Sequence, residues 1–313
     1  YAYFNIGGRC QDCAPLVDHI RLQLPSNTSP MIPAYVRLAA GGSGPMVGGP
    51  IERRCRMYVK INPPGTFCSC EALRDALKVT GGKTFLEVGC GSGVFSKFLC
   101  DQGLRGVGVD FSPSAIEMAH KTLSREIETG QYQLIEGDVF DLPEDFEKVD
   151  VALSYMVMEH VEDEAAFIGT IRRYVRPGGY VILAVPGRRD HWSLEDETVG
   201  HLRRYDREDL HSVMAAAHLE KVEVWSVAVP VSNILFHVGN WLLSRSQEMQ
   251  KIGQSQREQT ETSGLQEIPW KTVFPSWVKL ILNRVTLWPL FVVQRMFYKT
   301  GLGVTMMGFG RVS

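Results

Sequence analysis

The chain has 313 residues, 44% hydrophobic and 22% charged, a composition that excludes a wholly disordered or fibrous protein. With 33 Lys and Arg against 35 Asp and Glu the net charge is -2, which excludes a chain that coats nucleic acid as a polycation. Seven cysteines, an odd number in a long chain, do not make a disulfide scaffold, so reduced thiols and a cytoplasmic setting are expected. No early segment joins a basic stretch to an apolar core, and no 18-residue run is apolar without charge, so neither a signal peptide nor a membrane span is expected.

Residues 1–56 read as a poorly structured or extension segment. Gly41 to Pro50 holds five Gly and two Pro, the composition of a loop. Cys10 and Cys13 form a CxxC and Cys68 and Cys70 a CxC; without a histidine beside them their spacing reads as free thiols rather than zinc ligands. Asn27-Thr28-Ser29 matches a glycosylation sequon but has no secretion signal to go with it.

From residue 80 to 228 strand and helix signals alternate. Thr84–Val88, Gly106–Asp110, Tyr132–Ile135, Val149–Tyr155 and Tyr180–Val185 are short apolar runs of strand length. Between them, Phe95, Phe98 and Leu99 share a helical face, as do Ile116, Ala119, Leu123 and Ile127, and then Phe167, Ile171, Tyr174 and Val175. Ser112-Pro113 is a capping hydroxyl followed by proline at the first helical position, and Asp206 with Asp209 marks another helix start. Arg176-Pro177-Gly178-Gly179 is read as a stop between helix and strand. This order predicts an α/β fold, doubly wound around a mostly parallel sheet, with Glu220 to Ala228 as a late strand. Residues 248–267 are rich in Gln, Glu, Ser and Thr and read as a polar linker.

In an open parallel sheet ligands bind beyond the carboxyl ends of the strands. The first strand runs into Glu87-Val88-Gly89-Cys90-Gly91-Ser92-Gly93, where alternate glycines let a ligand approach the backbone. A dinucleotide fingerprint G-x-G-x-x-G would need glycine at Val94. Asp110 ends the second strand, where a carboxylate can accept both hydroxyls of a ribose. Glu136-Gly137-Asp138-Val139 ends the third, where an acid can meet an exocyclic adenine amine and Val139 can offer its amide. Three acids at successive strand ends indicate a nucleoside-like ligand without naming it.

Taken as an ordered set, the Glu87–Gly93 loop, Asp110, Gly137-Asp138 and Arg176-Pro177-Gly178-Gly179 resemble the motifs of class I S-adenosylmethionine-dependent methyltransferases. The resemblance covers about residues 80–228. Met158-Glu159-His160-Val161 and His201-Leu202-Arg203-Arg204-Tyr205 are similar to the small-molecule group that includes quinone-biosynthesis methyltransferases. The resemblance implies a Rossmann-like sheet of seven strands, the last antiparallel, within a methyltransferase domain at 57–230. It leaves 231–313 as a helical lid or membrane-contacting tail. It also implies S-adenosyl-L-methionine as cofactor: its methionine part against Gly89, Cys90, Gly91 and Gly93 with Glu87 near the amino group, its ribose on Asp110 beside Phe111, its adenine framed by Asp138 and Val139, and Ser154 flooring the methyl site.

Methyl transfer to a sulfonium-activated carbon needs alignment above all, and a base when the acceptor is a hydroxyl. His160 and His201 are the candidate bases, and Arg203, Arg204 and Tyr205 a candidate clamp for an acidic or phenolic small-molecule acceptor. Glu159-His160 offers two metal ligands but lacks a third, so no metal is expected. An oxidoreductase using nicotinamide and a non-catalytic scaffold are the alternatives. An Asn/Asp-Pro-Pro-Tyr signature and a basic groove are both lacking, so no nucleic acid is expected as partner. After Glu267 come six cations and no acid, leaving 27 cationic against 35 acidic residues up to and including it. Trp277 and Trp288 interleave with Lys279, Arg284 and Arg295 in this tail, which suits either an anionic membrane surface, with the protein peripheral to it, or a lid or homodimer surface.

Overall fold

The computed structural model describes residues 58–60, 62–243 and 273–313. The Cys10/Cys13 pair, the Asn27 sequon and the linker 248–267 lie outside the described residues. Two short strands, Tyr58–Lys60 and Val273–Pro275, pair antiparallel with each other and form a small unit with residues 273–279.

The larger unit is built on seven strands: β1 Thr84–Val88, β2 Arg105–Asp110, β3 Tyr132–Glu136, β4 Val149–Tyr155, β5 Val175–Pro186, β6 Leu219–Val227 and β7 Thr305–Val312. Their order in the sheet is β3-β2-β1-β4-β5-β7-β6. All neighbours pair parallel except at β7, which is antiparallel to both β5 and β6. Helices α1 Pro64–Thr80, α2 Val94–Asp101, α3 Pro113–Thr122, α4 Glu164–Arg173, α5 Arg207–Ala216, α6 Val231–Leu243 and α7 Trp288–Phe297 complete the architecture, with a short helix at Leu194–Val199. The doubly wound reading and the seven-stranded sheet hold.

Successive strand residues point to opposite faces, so each strand serves two cores. Phe85, Leu153, Ile182 and Phe309 face one, which α1, α2 and α7 cover through Leu73, Leu99 and Phe291. Leu86, Ala152, Leu183 and Met306 face the other, covered by Phe167 and Ile171 of α4 and Leu210 and Met214 of α5. The expected caps form: Ser112 Oγ accepts from the Ala115 amide, and Asp206 and Asp209 make a reciprocal capping box.

Two expectations change. Arg176–Gly179 belongs to β5 itself, because α4 already ends at Arg173. More consequentially, residues 231–313 are not all lid or tail: 305–312 return as β7, the buried strand between β5 and β6. Gly308 and Gly310 disguise it in the sequence, since glycine is a poor strand former. Close packing demands them. A Cβ at Gly308 would stand 2.5 Å from Met214 Sδ on α5, and one at Gly310 would stand 2.9 Å from Leu219 Cβ. The sheet domain therefore crosses the boundary drawn at 230. Gln294 of α7, fully buried, ties the tail in by accepting from the Ala228 amide and donating to the Cys68 carbonyl.

Candidate active site

Parallel register brings four strand ends into line. Val88 pairs with Val109 and with Ser154, and Asp110 pairs with Glu136. The loop Gly89–Gly93, Asp110, Asp138 and Ser154 therefore share one edge of the sheet. Asp110 braces the loop: Oδ2 accepts from the Gly91 amide at 2.8 Å and Oδ1 from the Ser112 amide at 3.0 Å. Gly91 has positive φ and open space where a Cβ would project, so the loop presents bare backbone to a ligand. Gly89 serves packing instead, since a Cβ there would lie 2.3 Å from Val157 Cγ2. Asp138 Oδ1 caps the next turn by accepting from the Phe140 amide at 3.1 Å, next to a buried Val139. Phe111 and Phe140 present exposed rings along this edge.

Glu87 differs from expectation. Its side chain is buried beneath the loop and accepts a hydrogen bond from the Ser96 hydroxyl, which also contacts Tyr132 Oη at 2.7 Å. Burial pushes its carboxyl up to about 8, with the Asp110 charge adding to the rise against the Ser96 bonds. Glu87 thus supports the loop from below rather than facing an amino group above it. Ser96 and Tyr132 carry no motif that would have revealed this contact.

The ends of β4 and β5 hold a second group. After β4, a short 3-10 turn, Met158–His160, places Glu159 inward, fully buried. No hydrogen bond from another residue reaches either Glu159 carboxylate oxygen; His201 Nε2 stands 3.6 Å from Oε1. Burial pushes this carboxyl up to about 7, with His201 opposing the shift. His201 donates from Nδ1 to Asp196 Oδ1 at 2.7 Å, and His160 donates from Nδ1 to the Gly200 carbonyl at 3.2 Å. The two imidazoles meet edge to face, 4.9 Å between centroids. Burial, then the neighbouring His201, lowers His160 to about 4, so it is neutral at pH 7.

Asp196 is the residue the sequence reading missed. It is fully buried on the short helix Leu194–Val199 and accepts from His201, from Arg204 Nε at 2.8 Å, and from Ser193. The only hint in the sequence was an acid five positions before His201. The third metal ligand that Glu159-His160 lacked is also present: Glu159, His160 and His201 each offer an atom within 4.8 Å of the others, a set able to hold a divalent cation.

The residues of the expected substrate clamp are each bonded within the protein. Arg204 is buried, bonded to Asp196 and to the Gly187 carbonyl at 2.9 Å, so it pins the loop. Tyr205 is buried and its amide donates to the Pro186 carbonyl. Arg203 pairs with Glu164 at 3.0 Å. All three line an outer cleft of about 560 Å³ together with Arg189, Trp192 and Asp209.

The site is thus a backbone loop with strand-end acids on one side and an imidazole-carboxylate cluster on the other. Its sheet order inserts an antiparallel β7 where a dinucleotide fold would continue with a parallel strand, which sets aside the nicotinamide reading. The family described as "Methyltransferase domain" matches residues 67–224, and the chain belongs to it; the fold and motifs are those of a class I S-adenosylmethionine-dependent methyltransferase. Among curated relatives, a "Probable S-adenosylmethionine-dependent methyltransferase" of Mycolicibacterium smegmatis is 26% identical over 44% of this chain and 52% of its own length. The mitochondrial ubiquinone biosynthesis O-methyltransferase of Schizosaccharomyces pombe is 36% identical over 34% of this chain and 39% of its own. The chain thus spans about half the length, or less, of the curated relatives it matches. Among solved structures, the [4+2]-cyclase SpnF aligns with a TM-score of 0.50 at 14% identity, over 77% of this chain and 81% of that one. This likeness shows the fold alone, and a fold shared with a cyclase does not fix the reaction.

The class's cofactor is S-adenosylmethionine, and the edge fits it. Gly91 leaves the cradle open, and Ser154 Oγ is a buried hydroxyl with no hydrogen-bond partner at the end of β4.

Proposed function

We propose that the chain catalyses transfer of a methyl group from S-adenosylmethionine to an oxygen of a small, hydrophobic acceptor. Bound at the β1–β4 edge, the cofactor supplies a methyl carbon activated by its sulfonium. Gly89–Gly93 and Asp110 would hold the amino-acid and ribose parts, Asp138 and Val139 the adenine, and Ser154 the floor.

The observation that carries the choice of oxygen is the His201–Asp196 pair. Asp196 fixes the Nδ1–H tautomer and leaves Nε2 as the proton acceptor, which is what an acceptor hydroxyl requires. A nearby Glu159 carboxylate stabilises the imidazolium as it forms. The ubiquinone O-methyltransferase relatives support the same reading. The test is calorimetric titration with S-adenosylmethionine, followed by an assay for S-adenosylhomocysteine with extracted lipids and phenols as acceptors. Cofactor binding without turnover on any acceptor would leave a scaffold and overturn the enzymatic reading.

The unbonded Glu159 carboxylate favours a second reading of the same cluster. Glu159, His160 and His201 would bind a divalent cation that lowers the acceptor hydroxyl's pKa. Activity abolished by EDTA and restored by a divalent cation selects this reading; activity indifferent to EDTA selects the imidazole base.

A further inference from the structure

We propose that the outer face of the C-terminal helical layer docks the protein on an anionic lipid surface. On α7, Phe291, Gln294 and Tyr298 point inward, while Trp288, Val292 and Met296, four residues apart, form one outward stripe. Trp288 is 61% and Met296 77% exposed. The turn before α7 adds Leu280, Ile281 and Val285, the last 82% exposed. Helix α6 repeats the pattern with Ile234, Leu235, Val238 and Trp241 exposed, and Val231–Leu243 contains no Asp, Glu, Lys or Arg. Both helices pack on α1. Large apolar side chains turned to water on two helices that pack on the same α1 mark a surface made to be covered.

Charge identifies what covers it. Residues 280–313 carry Arg284, Arg295, Lys299 and Arg311 and no carboxylate. The carboxylates beneath them belong to α1 and are already engaged: Arg295 Nε reaches Asp75 at 2.6 Å, and Arg284 Nε reaches Glu71 at 3.1 Å. Lys299 stands exposed at the end of the α7 stripe. The face therefore combines apolar side chains and tryptophans with a local excess of cations, Arg284, Arg295 and Lys299 over Glu71 and Asp75, the composition of an interfacial element on acidic headgroups. A second copy is the poorer occupant, because a twofold interface would set cation against cation. Helices of 13 and 10 residues are too short to cross a bilayer core, and among the described residues no helix is long and apolar enough to do so. The element lies on the surface.

The proposal does not rest on the reaction, and its test reads binding directly. The full chain is sedimented with vesicles of phosphatidylcholine and with equimolar phosphatidylcholine and phosphatidylglycerol, tryptophan emission being followed in parallel. Partition into the acidic vesicles with a blue shift, weakened by salt, is expected. The double variant Trp288→Asp, Met296→Asp should lose at least about tenfold in partition, since each apolar group withdrawn from the interface contributes in proportion to its area. Ile234→Asp with Val238→Asp tests the α6 face independently, and an unchanged melting temperature shows that both pairs leave the fold intact. No partition of folded protein into either vesicle overturns the proposal. So does equal partition into both, which removes the anionic requirement, or a concentration-dependent dimer that masks the stripe and binds no lipid.

Discussion

The two sides of the site are made by different means. The cofactor side is backbone: a loop turned by glycines at positive φ and braced by Asp110 at the end of the adjacent strand. The proposed acceptor side is side chain: Glu159 and His160 from one turn meet Asp196 and His201 from the short helix and loop after β5. A backbone cradle is set by local sequence and serves every member of the class. A side-chain cluster depends on where loops land, and that is where one chain distinguishes its acceptor from another's.

If the sides are separable, variants should separate binding from turnover. Asp110→Ala strikes the largest blow. It frees the Gly91 and Ser112 amides and removes the carboxylate proposed to accept the ribose hydroxyls, so affinity for S-adenosylmethionine should fall roughly 100-fold, as for two charge-assisted hydrogen bonds to those hydroxyls lost. His201→Ala should do the opposite: kcat falls about 100- to 10,000-fold, as for a removed general base. Cofactor affinity should then move by no more than about twofold, because His201 shares no partner with the loop. Asp196→Asn should follow the same pattern and also displace the pH profile, since the amide lets the ring take the wrong tautomer. Calorimetry beside steady-state kinetics checks all three. A His201 variant that loses cofactor binding would merge the two sides into one.

The same contrast explains what was legible. The turn at Gly91 and the strand-end place of Asp110 could be read because a glycine turn and a strand-end acid leave traces within a few residues of each other. Asp196 could not, because its role arises only when the helix Leu194–Val199 folds His201 back onto it. Strand β7 hid for a related reason: Gly308 and Gly310 suppress strand propensity, and only the proximity of Met214 and Leu219 shows why they are there. Arg204 stayed ambiguous because a buried, bonded guanidinium and a substrate clamp look alike as letters.

Glu87 gives a subtler test, of what lies under the cradle. Its carboxyl ionises at about 8 when folded against 4.5 for an ordinary glutamate. The folded state therefore favours the protonated form. The contribution is fully present below pH 4.5 and is lost as pH rises towards 8. Glu87→Gln keeps the acceptor for Ser96 but cannot ionise, so the variant should gain relative to the parent as pH rises, by a few kcal/mol. Thermal melts across that range check it. A Glu87 variant that loses cofactor affinity while its pH-stability curve is unchanged would return Glu87 to the ligand's side of the loop.

The smallest effect is expected from Arg203, and it bears on which cavity takes the acceptor. Its ion pair with Glu164 is partly exposed, so Arg203→Ala should cost under about 1 kcal/mol of stability. The outer cleft it lines is walled by cations already paired, Arg203 with Glu164 and Arg189 with Asp209, leaving no charge poised for a substrate. The acceptor should instead lie beside the His160–His201 cluster, and KM in Arg203→Ala should stay within about twofold of the parent, as for a site sharing no partner. A tenfold rise in KM with kcat unchanged would place uniform substrate binding in the outer cleft and move the acceptor side away from the imidazole cluster.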